Sequence, residues 1–347
     1  VEVSDTLGQT SIGTGMTNLL NNQPNPVNVT SVTYDLESMT ITWEEYVPNL
    51  SRINQMNQNT RSTVTNDFVS FELLQSDSED GTYTSVVVIT DQTTTSYSFV
   101  NNMFYDPTQE NWFKVKVTDF WNITSIGTGM TNSIDLEPNP VNVTSVTYDL
   151  TEMVVSWNQS SDNDFLSYEL LQSDSENGNY SSVDVITSQS TTSHSLTEYD
   201  PLVENWFKVK VIDYWGLNST GNGMTNELDS PPTQIDVSSV TYDLTEMVIT
   251  WEQSNDYDFV SYELLQSETQ SGDQTSIITT TDINTTSFTI SDFNPSVERW
   301  YWIRVSDYWN LTSMSNGYMV LDNPPTSSVL YPITYNDGFQ ISWSQNN

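Results

Sequence analysis

Apolar and polar residues alternate with a period of two in short runs along the whole chain. In the run that ends at Trp157, the side chains of Met153, Val155 and Trp157 share one face. Residues 206–211 alternate in the same way. A period of two is typical of a strand with one buried face, so these runs predict half-buried β-strands.

The same blocks recur with a period of about 93 residues. A strand block that ends in tryptophan occurs at Trp43, Trp157, Trp251 and Trp343, at spacings of 114, 94 and 92 residues. This period fits a complete small domain, since solenoid repeats have only about 20–45 residues. About seven alternating runs fit into one period, separated by Asp, Asn, Gly, Ser and Pro turns. The pattern predicts an all-β chain of tandem seven-stranded antiparallel β-sandwiches.

Pairs of prolines precede each repeat and mark its boundary, because a strand interior does not accommodate proline. The predicted domains are the C-terminal part of an incomplete sandwich (1–22), a sandwich repeat with a long loop insertion (23–136), two further sandwich repeats (137–229 and 230–322) and the N-terminal part of an incomplete sandwich (323–347). We expect a window cut from a longer array. The alternative is that neighbouring subunits complete each other's partial sandwiches.

The insertion in the first repeat spans roughly Glu44 to Asp67 and enlarges the loop between the second and third strands. It contains Arg52 and Arg61, half of the arginines of the chain. A long polar loop at one pole of a sandwich is either a contact surface or a tolerated insertion.

Each repeat resembles a fibronectin type III domain. The resemblance rests on the proline-led first strand, the inward tryptophan of the second strand and the Tyr/Phe-Glu-Leu-Leu third strand. The aromatic-x-Val-x-Val-x-Asp run of the sixth strand completes it. The resemblance implies three strands in one sheet and four in the other. The family's tyrosine at the start of the sixth strand is present as Tyr301 but replaced by Phe113 and Phe207. In those two repeats we expect the corner to be held by packing alone.

The charge of the chain excludes some classes of partner. It has 8 Lys and Arg against 46 Asp and Glu, a formal net charge of −38. Such a shortage of bases argues against binding nucleic acid or an anionic membrane surface. Cysteine is absent, which excludes disulfides and thiolate sites. No apolar run is long enough for a membrane span.

The few bases cluster on the sixth strand. Lys114, Lys116, Lys208, Lys210 and Arg304 occupy outward positions there. The outward acids of the third strand are Glu72, Glu169 and Glu263. We therefore predict cross-strand ion pairs between these two strands.

No catalytic motif is evident, and we expect the protein not to be an enzyme. The single histidine, His194, takes the place of Tyr97 and Phe288 in sister strands, so it is interpreted as a strand residue. Walker and dinucleotide-binding motifs are absent.

Aspartates recur in two loops that share one pole of the sandwich. Before the third strand lie Asn66-Asp67, Asp162-Asn163-Asp164 and Asp256-Tyr257-Asp258, and after the sixth strand lie Asp119, Asp213 and Asp307. No cofactor is expected if these residues form side-chain-to-backbone turns. The alternative is bound calcium, which prefers several carboxylate oxygens.

Aromatic pairs follow those aspartates, and each pair ends in Trp121, Trp215 or Trp309. These tryptophans form either a binding platform for a glycan or protein, or a plug against the preceding domain.

Two functions remain open from the sequence. The first is a non-enzymatic extracellular or cell-surface protein, a stalk or filament whose partners are neighbouring repeats, copies of itself, or surface glycans or proteins. The second is a set of accessory modules of a secreted polysaccharide-degrading enzyme, a role that fibronectin type III modules often have.

Overall fold

The computed structural model describes residues 2–12, 23–49, 53–54, 66–100, 105–335 and 337–344. Arg52, Arg61 and most of the inserted loop lie outside these described residues.

The strands fall into three large groups and two terminal hairpins. The hairpins are β1 (Glu2–Ser4) with β2 (Thr10–Ile12), and β27 (Thr334–Tyr335) with β28 (Phe339–Gln340). The first repeat contains β3 (Val29–Tyr34), β4 (Ser38–Trp43), β5 (Phe68–Ser76), β6 (Thr84–Ile89), β7 (Ser96–Val100), β8 (Trp112–Asp119), β9 (Thr124–Ile126) and β10 (Met130–Thr131). The second contains β11 (Val143–Tyr148), β12 (Met153–Trp157), β13 (Phe165–Ser173), β14 (Ser181–Ile186), β15 (Ser193–Leu196), β16 (Trp206–Asp213), β17 (Asn218–Thr220) and β18 (Met224–Thr225). The third contains β19 (Val237–Tyr242), β20 (Met247–Trp251), β21 (Phe259–Ser267), β22 (Thr275–Thr280), β23 (Ser287–Ile290), β24 (Arg299–Asp307), β25 (Thr312–Met314) and β26 (Tyr318–Val320).

Each repeat consists of two antiparallel sheets. In the second repeat one sheet has the order β11-β12-β15, and the other has the order β14-β13-β16-β17, with β18 also paired to β16. The strands β17 and β18 are two parts of one seventh strand, so three strands face four. The other two repeats have the same arrangement. The predicted all-β fold of tandem seven-stranded antiparallel sandwiches is confirmed, while the positions of the domain boundaries stay a prediction.

The alternating faces pack as the sequence predicts. Met153 and Val155 are fully buried, and Trp157 is almost so. They form one core with Tyr168 and Val209 of the opposite sheet. Burial of these side chains is the main stabilising contribution to each sandwich.

The corner that leads into the sixth strand is held by asparagines in the second repeat. Asn205 Nδ2 donates hydrogen bonds to the carbonyl oxygens of Asp200, at 2.9 Å, and Val203, at 3.0 Å. The backbone N–H of Asn205 donates to Asn226 Oδ1, at 2.8 Å. Both asparagines are buried. The expectation that packing alone holds the corner beside Phe207 is therefore wrong.

The first repeat has the same asparagine pair beside Phe113, formed by Asn111 and Asn132. In the third repeat Arg299 and Val320 occupy the equivalent positions, and Tyr301 donates a hydrogen bond to Met247 Sδ instead. The chain thus uses two alternative corners, and the asparagine pair accompanies phenylalanine.

The predicted cross-strand ion pairs are present in all three repeats. Lys116 pairs with Glu72, Lys210 with Glu169 at 3.0 Å, and Arg304 with Glu263. These residues face each other directly across the two strands. This part of the prediction is confirmed.

Two lysines have a different partner from the one that we expected. Lys114 Nζ lies 4.3 Å from the centroid of the Tyr83 ring, and Lys208 Nζ lies 4.4 Å from that of Tyr180. Each also donates a hydrogen bond to a backbone carbonyl oxygen. Their position along the strand places them opposite Leu74 and Leu171, out of register with the glutamates.

We predict that Asn205→Ala lowers the free energy of unfolding of the second repeat by about 1–3 kcal/mol, because buried groups lose their hydrogen-bond partners. Hydrogen exchange of the β16 and β18 amides measures the loss in the second repeat, and exchange of the β24 and β26 amides measures it in the third. Arg299→Ala is the matched control in the third repeat, where no asparagine pair exists. Equal losses in the two variants would contradict the role assigned to Asn205.

A double-mutant cycle with Glu169→Gln and Lys210→Met should give a coupling free energy of about 0.2–1 kcal/mol at neutral pH. The hydrogen bond from Lys210 lowers the pKa of Glu169. The stabilisation is therefore complete above the ordinary glutamate pKa of about 4.3 and is lost as the pH falls through the lowered value. Lys208→Met in place of Lys210→Met should give no coupling, and a comparable value would count against the assigned pairing.

Candidate functional site

A tight turn follows the sixth strand and is closed by its last residue. In the second repeat, Asp213 Oδ1 accepts hydrogen bonds from the backbone N–H groups of Trp215 and Leu217, each at 2.9 Å. Gly216 in this turn has a φ of 88°, a conformation that favours glycine. Asn122 and Asn310 take the same left-handed conformation in the other repeats. The aspartate therefore fixes the turn that carries the tryptophan.

The turn places Trp215 against the preceding repeat. Its ring centroid lies 6.3 Å from that of Tyr34, nearly edge-on, and 5.7 Å from that of Tyr105. Trp215 thereby packs on the hydrophobic core of the first sandwich. Trp309 makes the equivalent contact with Tyr199 of the second repeat, at 5.6 Å.

Trp121 stands at the same position in the first repeat. Its side chain is 43% exposed and lies beside Phe120, with ring centroids 5.5 Å apart. Residues 13–22, which precede the first repeat, lie outside the described part of the chain. Binding of a glycan or protein by the three tryptophans stays a prediction.

Beside Trp215, acids from two repeats converge. Asp135, Asp164 and Asp213 each present a carboxylate oxygen, and these oxygens lie within 4.8 Å of one another. Asp162 lies next to them, close enough for its carboxylate to interact electrostatically with those of Asp164 and Asp213. We call these four residues the first junction cluster.

The first junction cluster is anchored on both sides of the boundary between repeats. Asp135 donates its backbone N–H to Pro107 O, at 2.9 Å, and its Oδ1 accepts a hydrogen bond from Tyr34 at 3.0 Å. Both partners belong to the first repeat. Asp164 accepts the backbone N–H of Tyr214 with its carbonyl oxygen, at 2.8 Å, which ties its loop to the turn after the sixth strand.

The same arrangement recurs at the next boundary. Asp229, Asp258 and Asp307 present oxygens within 4.8 Å of one another. Asp256 lies next to Asp258. Asp229 Oδ1 accepts a hydrogen bond from Tyr148 of the second repeat, at 3.2 Å. We call Asp229, Asp256, Asp258 and Asp307 the second junction cluster.

Burial and mutual repulsion oppose ionisation in both clusters. Burial raises the pKa of Asp162 to about 6, and the charges of Asp164 and Asp213 add to the effect. Burial also raises the pKa of Asp258 to about 6, with the charge of Asp256 adding to it. Keeping these groups ionised at neutral pH therefore costs free energy.

The described bases have their partners elsewhere. Three are paired with glutamates of the third strand, two lie over tyrosine rings, and Arg299 pairs with Glu268 at 2.8 Å. Within the described residues, neither junction cluster contains a side chain of positive charge. An arrangement of oxygens alone is suited to a hard cation such as Ca²⁺.

Sequence reasoning identified most of each cluster but missed the linker acids. Asp164 and Asp213 were expected to share a pole, and the fold brings them together. Asp135 and Asp229 were not among the candidates. The sequence does contain a sign of them, because both lie at equivalent positions shortly before the prolines of the following repeat.

His194, the single histidine considered for catalysis, lies in a sheet. His194 is part of β15, opposite Val155 on β12. Its Nδ1 is 3.2 Å from Asp184 Oδ2. This is the strand position that the sequence predicts for it.

Comparisons with known proteins identify similar folds only. No family model and no curated protein matches the chain. Among solved structures, the chain is similar to the crystal structure of chicken CNTN1 FN1–FN3 domains, with 12% identity and a TM-score of 0.26. The match covers 87% of this chain and 99% of the other. In the described residues, no helix has the length and apolar character needed to cross a membrane.

We predict that Asp164→Asn raises the stability of the second repeat in the presence of a chelator, because it removes one of several charges that repel each other. The expected gain is about 1 kcal/mol, the interaction of two unit charges near 4 Å in water. Hydrogen exchange of β13 and β16 measures it.

Asp91→Asn is the matched control, because Asp91 is an exposed turn residue outside the clusters. A loss of stability in Asp164→Asn under the same conditions would contradict the electrostatic account.

Proposed function

We propose that the chain is a non-enzymatic structural segment of an extracellular or cell-surface array, in which tandem sandwiches form a stalk or filament. The observation that carries the proposal is the packing of Trp215 on the core of the preceding sandwich. A partly buried aromatic contact at a short proline-rich linker favours a fixed angle between neighbouring domains.

The charge distribution supports an extended array. The net charge is −38, and the described bases are engaged within their own repeats. A strongly acidic surface keeps neighbouring molecules apart and soluble. It also disfavours collapse of one repeat onto another, so contact between repeats is confined to the junctions.

Partners in this proposal are neighbouring repeats and further copies of the chain. Glycan or protein binding by the tryptophans is the second candidate, as expected of accessory modules of a polysaccharide-degrading enzyme. Trp215 and Trp309 direct rings toward tyrosines of the preceding repeat, which reduces the surface that they offer to a ligand.

Small-angle X-ray scattering of Trp215→Ser tests the proposal. Loss of the ring should broaden the distribution of angles between the first two repeats and shorten the mean end-to-end distance, while each sandwich stays folded. Trp206→Ser is the control, because Trp206 lies at the start of β16, at the opposite end of that strand from the junction turn. A scattering profile unchanged by Trp215→Ser would refute a stiff junction.

A further inference from the structure

The junction clusters contain buried carboxylate oxygens that no group of the protein satisfies. Asp213 is fully buried, and its Oδ2 has no hydrogen-bond partner. Asp307 is 2% exposed, and its Oδ2 is unpartnered in the same way. A buried carboxylate oxygen without a partner is costly, so its presence at equivalent places in two repeats needs an explanation.

The turn after the sixth strand does not supply that explanation. The turn uses only Oδ1 of Asp213, which accepts both backbone N–H groups. Oδ2 takes no part in the turn. A carboxylate oxygen of Asp213 lies within 4.8 Å of one from each of Asp135 and Asp164, whose own Oδ2 atoms are also buried and unpartnered. An asparagine could accept the same two hydrogen bonds through its Oδ1 and would bring no carboxylate charge into the cluster. The geometry of the turn alone therefore does not require the second carboxylate oxygen.

We propose that each junction cluster binds one calcium ion, held by the linker aspartate of one repeat and by three aspartates of the next. The ligands are Asp135, Asp162, Asp164 and Asp213 at the first junction, and Asp229, Asp256, Asp258 and Asp307 at the second.

The donor set favours calcium among divalent cations. All the side chains are carboxylates, and calcium accepts six to eight oxygens in flexible geometry, whereas magnesium requires a near-ideal octahedron. Zinc and copper prefer nitrogen or sulfur ligands, which these clusters lack. A cleft lined by Asp135, Asp162, Asp164 and Trp215 opens the first cluster to solvent, so that water can enter and complete the coordination.

The first repeat lacks the full set of acids. Asp67 and Asp119 match Asp164 and Asp213, but the positions that match Asp162 and Asp135 hold Thr65 and Asn21. The chain should therefore bind two calcium ions rather than three. The first repeat therefore shows, within the same chain, whether calcium binding requires all four acids.

A calcium ion at this place joins two repeats, because its ligands lie on both sides of the boundary. The joining of two repeats by calcium adds to the proposed stalk function and rests on it. Calcium binding itself does not rest on the stalk function. Calcium binding and junction stiffness can fail separately. The scattering of Trp215→Ser tests the stalk, and the titration below tests the metal.

Isothermal titration of the chelator-treated chain with calcium chloride, in about 0.15 M NaCl to screen diffuse association, tests the proposal. The wild-type chain should bind two ions. Asp164→Asn should bind one, and Asp164→Asn combined with Asp258→Asn should bind none. Asp91→Asn should still bind two. Calcium should also raise the thermal stability of the wild-type chain and leave the double variant unchanged.

Two results would overturn the assignment. Calcium uptake by the double variant equal to that of the wild type would mean diffuse association with surface acids. Complete displacement of calcium by an equal concentration of magnesium would mean a site that is not built for calcium. Circular dichroism of each variant shows that the sandwiches are folded, and so separates loss of binding from loss of structure.

Discussion

The carboxylate at the end of the sixth strand is the group on which the junction depends. One of its oxygens gathers two backbone amides and so closes the turn that presents Trp215. The other oxygen is buried without a hydrogen-bond partner, and the carboxylate lies beside the acids of the neighbouring loop and linker. Because both oxygens belong to one planar group, the position of the tryptophan and the position of the acid cluster are fixed together. A change in the turn would therefore affect apolar packing and electrostatics at once.

Scarcity of bases determines how negative charge is distributed over the molecule. The described lysines and Arg304 lie on the sheets, where they face a glutamate or a tyrosine ring across a strand. None of the described bases belongs to either junction cluster. Within the described residues, the acids of the junction clusters are consequently compensated by backbone amides, by hydroxyl groups such as that of Tyr34, or by an ion from solution.

The fold could be predicted from the sequence because apolar residues alternate with a period of two along each strand. Alternation of Met153, Val155 and Trp157 defines the buried face, and the sheets follow from it. The predicted pairing of the third and sixth strands also brings Lys210 opposite Glu169. The asparagine corner was missed, because Asn205 and Asn226 lie 21 residues apart and meet only after two strands have paired. Asp135 was missed for a related reason, since it lies at the end of the first repeat and the acids that it meets, Asp164 and Asp213, belong to the second.

The contact made by Trp215 extends from the second repeat to the first. The ring belongs to the second repeat, yet it covers apolar groups of the first, Tyr34 and Tyr105. Asp135 crosses the same boundary in the opposite sense, since it is anchored in the first repeat and reaches the acids of the second. Unfolding of either sandwich therefore removes contacts from its neighbour. The array then behaves as a one-dimensional chain with nearest-neighbour coupling, in which an interior repeat is more stable than the same repeat isolated.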